Sequence, residues 1–150
     1  MKLAHGCIMS TMIYGIQVLG LYCRLSILKK VQSIQINTMK WITGNYTGSL
    51  KELLATTKWL SVYQLAIHHS LLLYWKVKNN GKPDRLIRRL KISEDTTARL
   101  QLTERVWLRT AKRFYRMVEN SCLGATKISE IKRILRNWIK MNIPLSKDNL

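Results

Sequence analysis

The sequence predicts an all-α fold of about five to six helices. Three observations carry that reading. No segment sustains the two-residue alternation of a half-buried strand. Apolar residues recur instead at helical spacing through several stretches. Ser, Thr and Gly stand where such stretches should begin and end.

Taken in order, residues 3–23 carry no charge. The run is long enough for a membrane span. His5, Ser10, Thr11 and Gln17 interrupt it, with Gly6, Gly15 and Gly20. No small-x-small cleavage site follows a compact apolar core, so secretion is not expected. The expectation is a buried core helix, not a membrane segment.

Ser26 reads as an N-cap, and Gly44 as the stop of the helix that follows. Ile27, Val31, Ile34, Thr38 and Trp41 fall along one face, the expected packing seam, with Lys29, Lys30 and Lys40 off it. Ser49 can cap a short helix over Leu50 to Ala55. Ser61 to Lys78 is apolar nearly all round, which predicts burial on most sides. Lys76 and Lys78 suit its C-terminus, and Asn79-Asn80-Gly81 stops it.

Pro83 opens a short helix to about Lys91. Ser93-Glu94-Asp95-Thr96-Thr97 begins an exposed linker over 93–102. Thr103 caps a long helix ending near Gly124, and Ser129 caps a last one that stops before Pro144. The organisation expected is a helical bundle over 1–92, the linker, a basic helical module over 103–143 and a loose tail over 144–150. No internal repeat is visible.

Composition narrows the function. The 150 residues include 26 Lys+Arg against 8 Asp+Glu, a net charge of +18. At 47% hydrophobic residues the chain is not intrinsically disordered. Three scattered cysteines cannot build a disulfide framework. No acid precedes Glu52, and successive thirds carry +5, +6 and +7, so the excess is not confined to a tail. Such a surface repels itself unless it meets an anion: nucleic-acid phosphate, an anionic membrane or an acidic partner.

The cations form rows. Arg105, Arg109, Lys112 and Arg116 fall within about 60° of one another on a helix, opposite Trp107, Ala111, Phe114 and Val118. Arg113 lies beside them. Lys132, Arg133, Arg136 and Lys140 likewise oppose Ile131, Ile134, Leu135 and Trp138. Arg85, Arg88 and Arg89 add a third cluster. Such rows can follow a phosphate backbone without reading bases. The competing reading is a solvated helix face, yet only Glu104, Glu119 and Glu130 dilute the two long rows. A basic amphipathic helix also suits a membrane surface.

Catalytic signals are weak. Two-metal chemistry needs converging carboxylates, and the only adjacent acids, Glu94 and Asp95, sit in the linker. His68 and His69 are neighbours on a helix, so their side chains should diverge, serving packing or the surface. Cys7, Cys23 and Cys122 read as small buried hydrophobes. No glycine-rich phosphate loop and no Gly-x-Ser-x-Gly elbow occur. Trp41, Trp59, Trp75, Trp107 and Trp138 could stack on bases, but each falls on an apolar face or helix junction, where packing is expected.

The order of several short motifs resembles one family. Ser10-x-x-x-Tyr14-Gly15 with Gly20 is similar to the helix after the catalytic palm in jockey-like non-LTR retrotransposon reverse transcriptases, with Leu19 where those proteins often carry Trp. Leu28-x-x-Val31-Gln32-x-x-Gln35-x-Asn37, followed by Met39-Lys40-x-Ile42-Thr43-Gly44, resembles the family's next helix. Leu53-Leu54 and Trp59-Leu60-Ser61-Val62 match a short Leu-rich stretch and turn. Arg105 to Tyr115 and Ile128 to Trp138 resemble the C-terminal module, though Tyr115-Arg116-Met117-Val118 stands where relatives carry an Asn-x-Leu-Pro element.

The resemblance implies a thumb and C-terminal extension, which grips template–primer or RNA backbone without sequence specificity. The fingers and palm, with the Tyr-x-Asp-Asp strand, would precede Met1, and the apurinic-type endonuclease is also absent from this sequence. The chain is then expected to be non-catalytic alone and to hold no cofactor, magnesium belonging to the parent polymerase. Its expected partners are RNA or DNA and the missing fingers and palm, in the nucleus or cytoplasm. Two alternatives stay open: a stand-alone basic helical module that binds nucleic acid or protein, and a small membrane-associated protein.

Overall fold

The computed structural model describes residues 10–19, 25–80, 102–122, 124, 125 and 127–145. Among the described residues there are six helices and no strand: α1 (Ser10–Leu19), α2 (Leu25–Thr43), α3 (Leu50–Thr57), α4 (Val62–Asn80), α5 (Leu102–Cys122) and α6 (Ile128–Asn142). The fold is all-α. The short helix expected near 84–91 and the linker up to residue 101 lie outside the described residues, as do 146–150 of the tail. Two compact units divide the chain: Met1–Ile67 with Lys140–Leu150, and His68–Ile139.

In the first unit, α2 packs on α3. Gly44, at φ +68°, turns the chain out of α2 as its sequence position suggests. Ser49 accepts a hydrogen bond from the Glu52 N–H at 3.3 Å, and the Glu52 carboxylate accepts one from the Ser49 N–H at 2.9 Å. This reciprocal pair satisfies a backbone donor at each end and fixes the start of α3, which runs two residues past Ala55. Lys58 ends α3 in the left-handed region at φ +59°. A second reciprocal pair opens α4. There the Gln64 N–H donates to the Ser61 hydroxyl at 3.2 Å, and the Ser61 N–H donates to the Gln64 side chain at 3.3 Å.

Two glutamines of α2 then lock the connection after α3 and the start of α4 to it. The Val62 N–H donates to Gln32 Oε1 at 2.9 Å, and Gln32 Nε2 donates to Gln35 Oε1 at 2.7 Å. Gln35 Nε2 donates to the Leu60 carbonyl at 2.8 Å. A buried amide is tolerable when its donors and acceptor are used in this way. Gln64 Nε2 also donates to the Ile143 carbonyl at 2.9 Å, holding the chain after α6.

Three expectations need correction here. The packed face of α2 is Leu28, Gln35, Thr38 and Met39, whereas Ile27, Ile34 and Trp41 are exposed. The inward face is thus rotated by about 100° from the expected seam, because the glutamine hydrogen bonds make a partly polar face buriable. Only Thr38 of the expected seam is fully covered. Secondly, α1 is not buried all round: Ile16 is covered, but Ser10, Thr11 and Tyr14 face solvent. Its lack of charge hid an exposed hydroxyl-bearing side. Thirdly, Ser26, Thr103 and Ser129 lie inside the first turns and are not caps, since α2 starts at Leu25, α5 at Leu102 and α6 at Ile128. No helix among the described residues is long and apolar enough to cross a membrane.

The second unit takes its interior from one side of α5 and α6 and from most of the circumference of α4. Leu71, Leu72 and Trp75 of α4, Ala111, Phe114, Tyr115 and Val118 of α5, and Ile131, Leu135 and Ile139 of α6 are buried. The near-continuous burial of α4 follows from its apolar circumference, as its sequence predicts. Tyr74 and Tyr115 stack at a tilt, ring centroids 4.9 Å apart. Lys78 lies over the Tyr115 ring and pairs with Glu119.

A candidate nucleic-acid interface

The site is built from the outward sides of α5 and α6. On α6, Ile131, Leu135 and Ile139 recur every four residues and are fully buried. Their burial turns Lys132, Arg133, Arg136 and Lys140 to solvent, where all four are exposed. On α5, burial of Ala111, Phe114, Tyr115 and Val118 turns Arg113 and Arg116 outward, with Lys112 half-buried between the two sides. The side chains of Arg105, Trp107 and Arg109, and all of Arg85, Arg88 and Arg89, lie outside the described residues. Six of the candidate cations on α5 and α6 are therefore placed at the surface, and one at its margin.

The acids described on these helices are committed elsewhere. Glu119 pairs with Lys78, and the Glu119 hydrogen bond holds that ammonium above its ordinary range. Glu130 stands in the first turn of α6, where a carboxylate complements the helix dipole. The α6 row thus presents four cations along about two turns of helix without an acid among them.

Behind this row lies a pair of imidazoles. His68 is buried, its Nε2 3.4 Å from the Lys132 carbonyl and its Nδ1 without a hydrogen-bond partner. His69 is half-buried, and the two rings meet edge to face with centroids 5.2 Å apart. Adjacent positions on the helix did not make the side chains diverge, because both are folded into the protein rather than splayed over its surface. Burial is the main force lowering both pKa values, with Lys132 and Arg136 adding repulsion at His68; His69 falls to about 4, with His68, Lys132 and Lys76 as further causes.

A pH dependence follows. The unfolded chain protonates these imidazoles near 6.5, the folded chain only at lower pH. Between those limits the unfolded state binds more protons, so stability is full above about 6.5 and falls as pH drops towards 4. One pKa unit is worth ~1.4 kcal/mol, and for a chain of this size that lowers the melting temperature by about 3–6 °C. Thermal denaturation at pH 7 and pH 5 measures this, and equal melting temperatures contradict it.

Cys122 is buried, and burial pushes its thiol above the ordinary range, as befits a packing residue. Cys7 and Cys23 lie outside the described residues. No cluster of three or more His, Cys, Asp or Glu able to hold a metal ion occurs among the described residues. Trp59 and Trp75 are buried and Trp138 is half-buried, but Trp41 is 71% exposed, contrary to its expected packing role. Tyr46, which the sequence reading passed over, is 65% exposed. The available signal was their setting: Lys40 precedes Trp41, and Tyr46 lies in the polar run Asn45 to Ser49. No family model, no curated protein and no solved structure matches this chain.

Proposed function

We propose that this chain is a non-catalytic helical module that grips the sugar–phosphate backbone of RNA or DNA without reading sequence. The observation that supports it is the α6 row of Lys132, Arg133, Arg136 and Lys140, all exposed over a fully buried apolar side. Such a row supplies point charges along a line, which positions a backbone but does not discriminate base edges. The motif order of the sequence extends this proposal: the chain is the thumb and downstream region of a non-LTR retrotransposon reverse transcriptase, acting beside the fingers and palm of its parent.

Binding should weaken steeply with salt, because each neutralised phosphate releases counterions. With about six phosphate contacts, log K against log salt should fall with a slope near −5 on a duplex. Anisotropy titrations of a labelled RNA–DNA hybrid over a range of salt measure this. A flat slope, or no binding at low salt, overturns the proposal. The parentage is tested separately, by sequencing the transcript upstream of the Met1 codon for an open frame leading into a Tyr-x-Asp-Asp palm.

A further inference from the structure

The α5 and α6 cations leave one surface unexplained. Trp41 at the end of α2 is 71% exposed, and Tyr46 in the following loop is 65% exposed. Leaving a large apolar side chain in water forfeits the stabilisation of burying it, and Trp59 and Trp75 of the same chain are buried. Ile27 and Ile34 lie on the same side of α2 as Trp41, also exposed. At seven-residue intervals these three drift only about 20° per step around the helix.

We propose that Trp41 and Tyr46 form a stacking platform for unpaired bases of a single-stranded nucleic acid, with Lys30 and Lys40 taking its phosphates. This rests on the reading of the chain as a nucleic-acid binder and adds a second, chemically different mode to it. Two features select the occupant. The first is charge. α2 carries Lys29, Lys30 and Lys40 and no acid, and the nearest acid in sequence, Glu52, caps α3. What covers this surface must therefore be flat and apolar in part, and neutral or anionic overall. Bases on a phosphate chain meet both demands, and every base has a face that stacks on an aromatic ring.

The second feature is the interleaving. Lys30 and Asn37, both exposed, fall beside the line of Ile27, Ile34 and Trp41. A helix lying in a bilayer instead presents a broad apolar face with its cations on the polar side. Burying Asn37 and Lys30 in the acyl boundary would cost desolvation. A single strand uses the same residues as base-edge and phosphate contacts.

The test uses the full chain and three probes: a labelled uridine oligomer of about a dozen nucleotides, an RNA–DNA hybrid, and vesicles containing phosphatidylserine. Trp41→Ala should weaken oligomer binding by about 5- to 100-fold, the value of one stacked base. Trp41→Phe should retain most of it, and both variants should bind the hybrid within about twofold of the parent chain if that binding uses phosphates alone. Melting temperatures check that an exposed substitution leaves the fold intact. If Trp41→Ala binds the oligomer as tightly as the parent chain while the hybrid is still held, the platform is overturned and the backbone grip survives. Equal losses on oligomer and hybrid overturn it too. Trp41-dependent vesicle binding without oligomer binding makes a lipid surface the occupant. If the parent chain binds neither nucleic acid at low salt, both readings fall together.

Discussion

Replacing Lys132, Arg133, Arg136 and Lys140 together by Gln is expected to cost about 100- to 1000-fold in affinity for an RNA–DNA hybrid at low salt. The estimate takes ~1 kcal/mol for each cation held near a phosphate in water, summed over four exposed side chains. The salt slope should become shallower by about 3–4. Folding should be spared, since none of the four side chains is buried and removing like charges relieves self-repulsion. A control with Lys29, Lys51, Lys58 and Lys127 neutralised, four exposed cations outside the row, separates loss of the row from loss of net charge. Affinity of the quadruple variant within twofold of the parent would remove α6 from the binding surface.

A large loss of stability is expected at Gln35. It is completely buried, accepts from Gln32 Nε2 and donates to the Leu60 carbonyl. Gln35→Leu keeps most of the volume and abolishes both bonds. The Leu60 carbonyl then loses its side-chain donor, and Gln32 is released from the geometry in which it meets the Val62 N–H. Unpaired buried polar groups cost about 1–3 kcal/mol each, so a total of roughly 2–4 kcal/mol is expected. At about 2–4 °C per kcal/mol, melting should fall by about 5–15 °C. Urea or thermal unfolding reads this directly. A change of less than about 2 °C would mean that the glutamine chain contributes little beyond occupancy of space.

These two sites also mark the limits of what the sequence discloses. The α6 row was legible because apolar residues every three to four positions leave the intervening cations only one place to go. The capping pair at Ser49 and Glu52 was half legible, since Ser49 was read as a cap and Glu52 stands three residues on. The inward face of α2 was not. Its two candidate faces lie about 100° apart, one with Ile27, Ile34 and Trp41, the other with Leu28, Gln35 and Met39. Hydrophobicity favours the first. The second is buried because Gln35 finds the Leu60 carbonyl 25 residues away, a partner no local pattern reveals. The exposure of Trp41 follows from that one hydrogen-bonded choice. The acids at Glu94 and Asp95, and the arginines at 85, 88 and 89, fall outside the described residues.

The crowded start of α4 bears on how the proposed grip would hold a phosphate. An open helix N-terminus offers phosphate a rigid cradle of N–H groups. Here the Val62 and Gln64 N–H groups are spent on Gln32 and Ser61, and Ser61 and Val62 are shut away from solvent. At α3 the Glu52 N–H is likewise taken, with a carboxylate alongside. These two helix starts therefore offer an anion no open cradle, and under the proposed grip phosphates meet Lys and Arg side chains instead. Such a grip has no fixed template of its own. On the proposed reading, a grip made of side chains would accommodate duplexes of different groove width and rise.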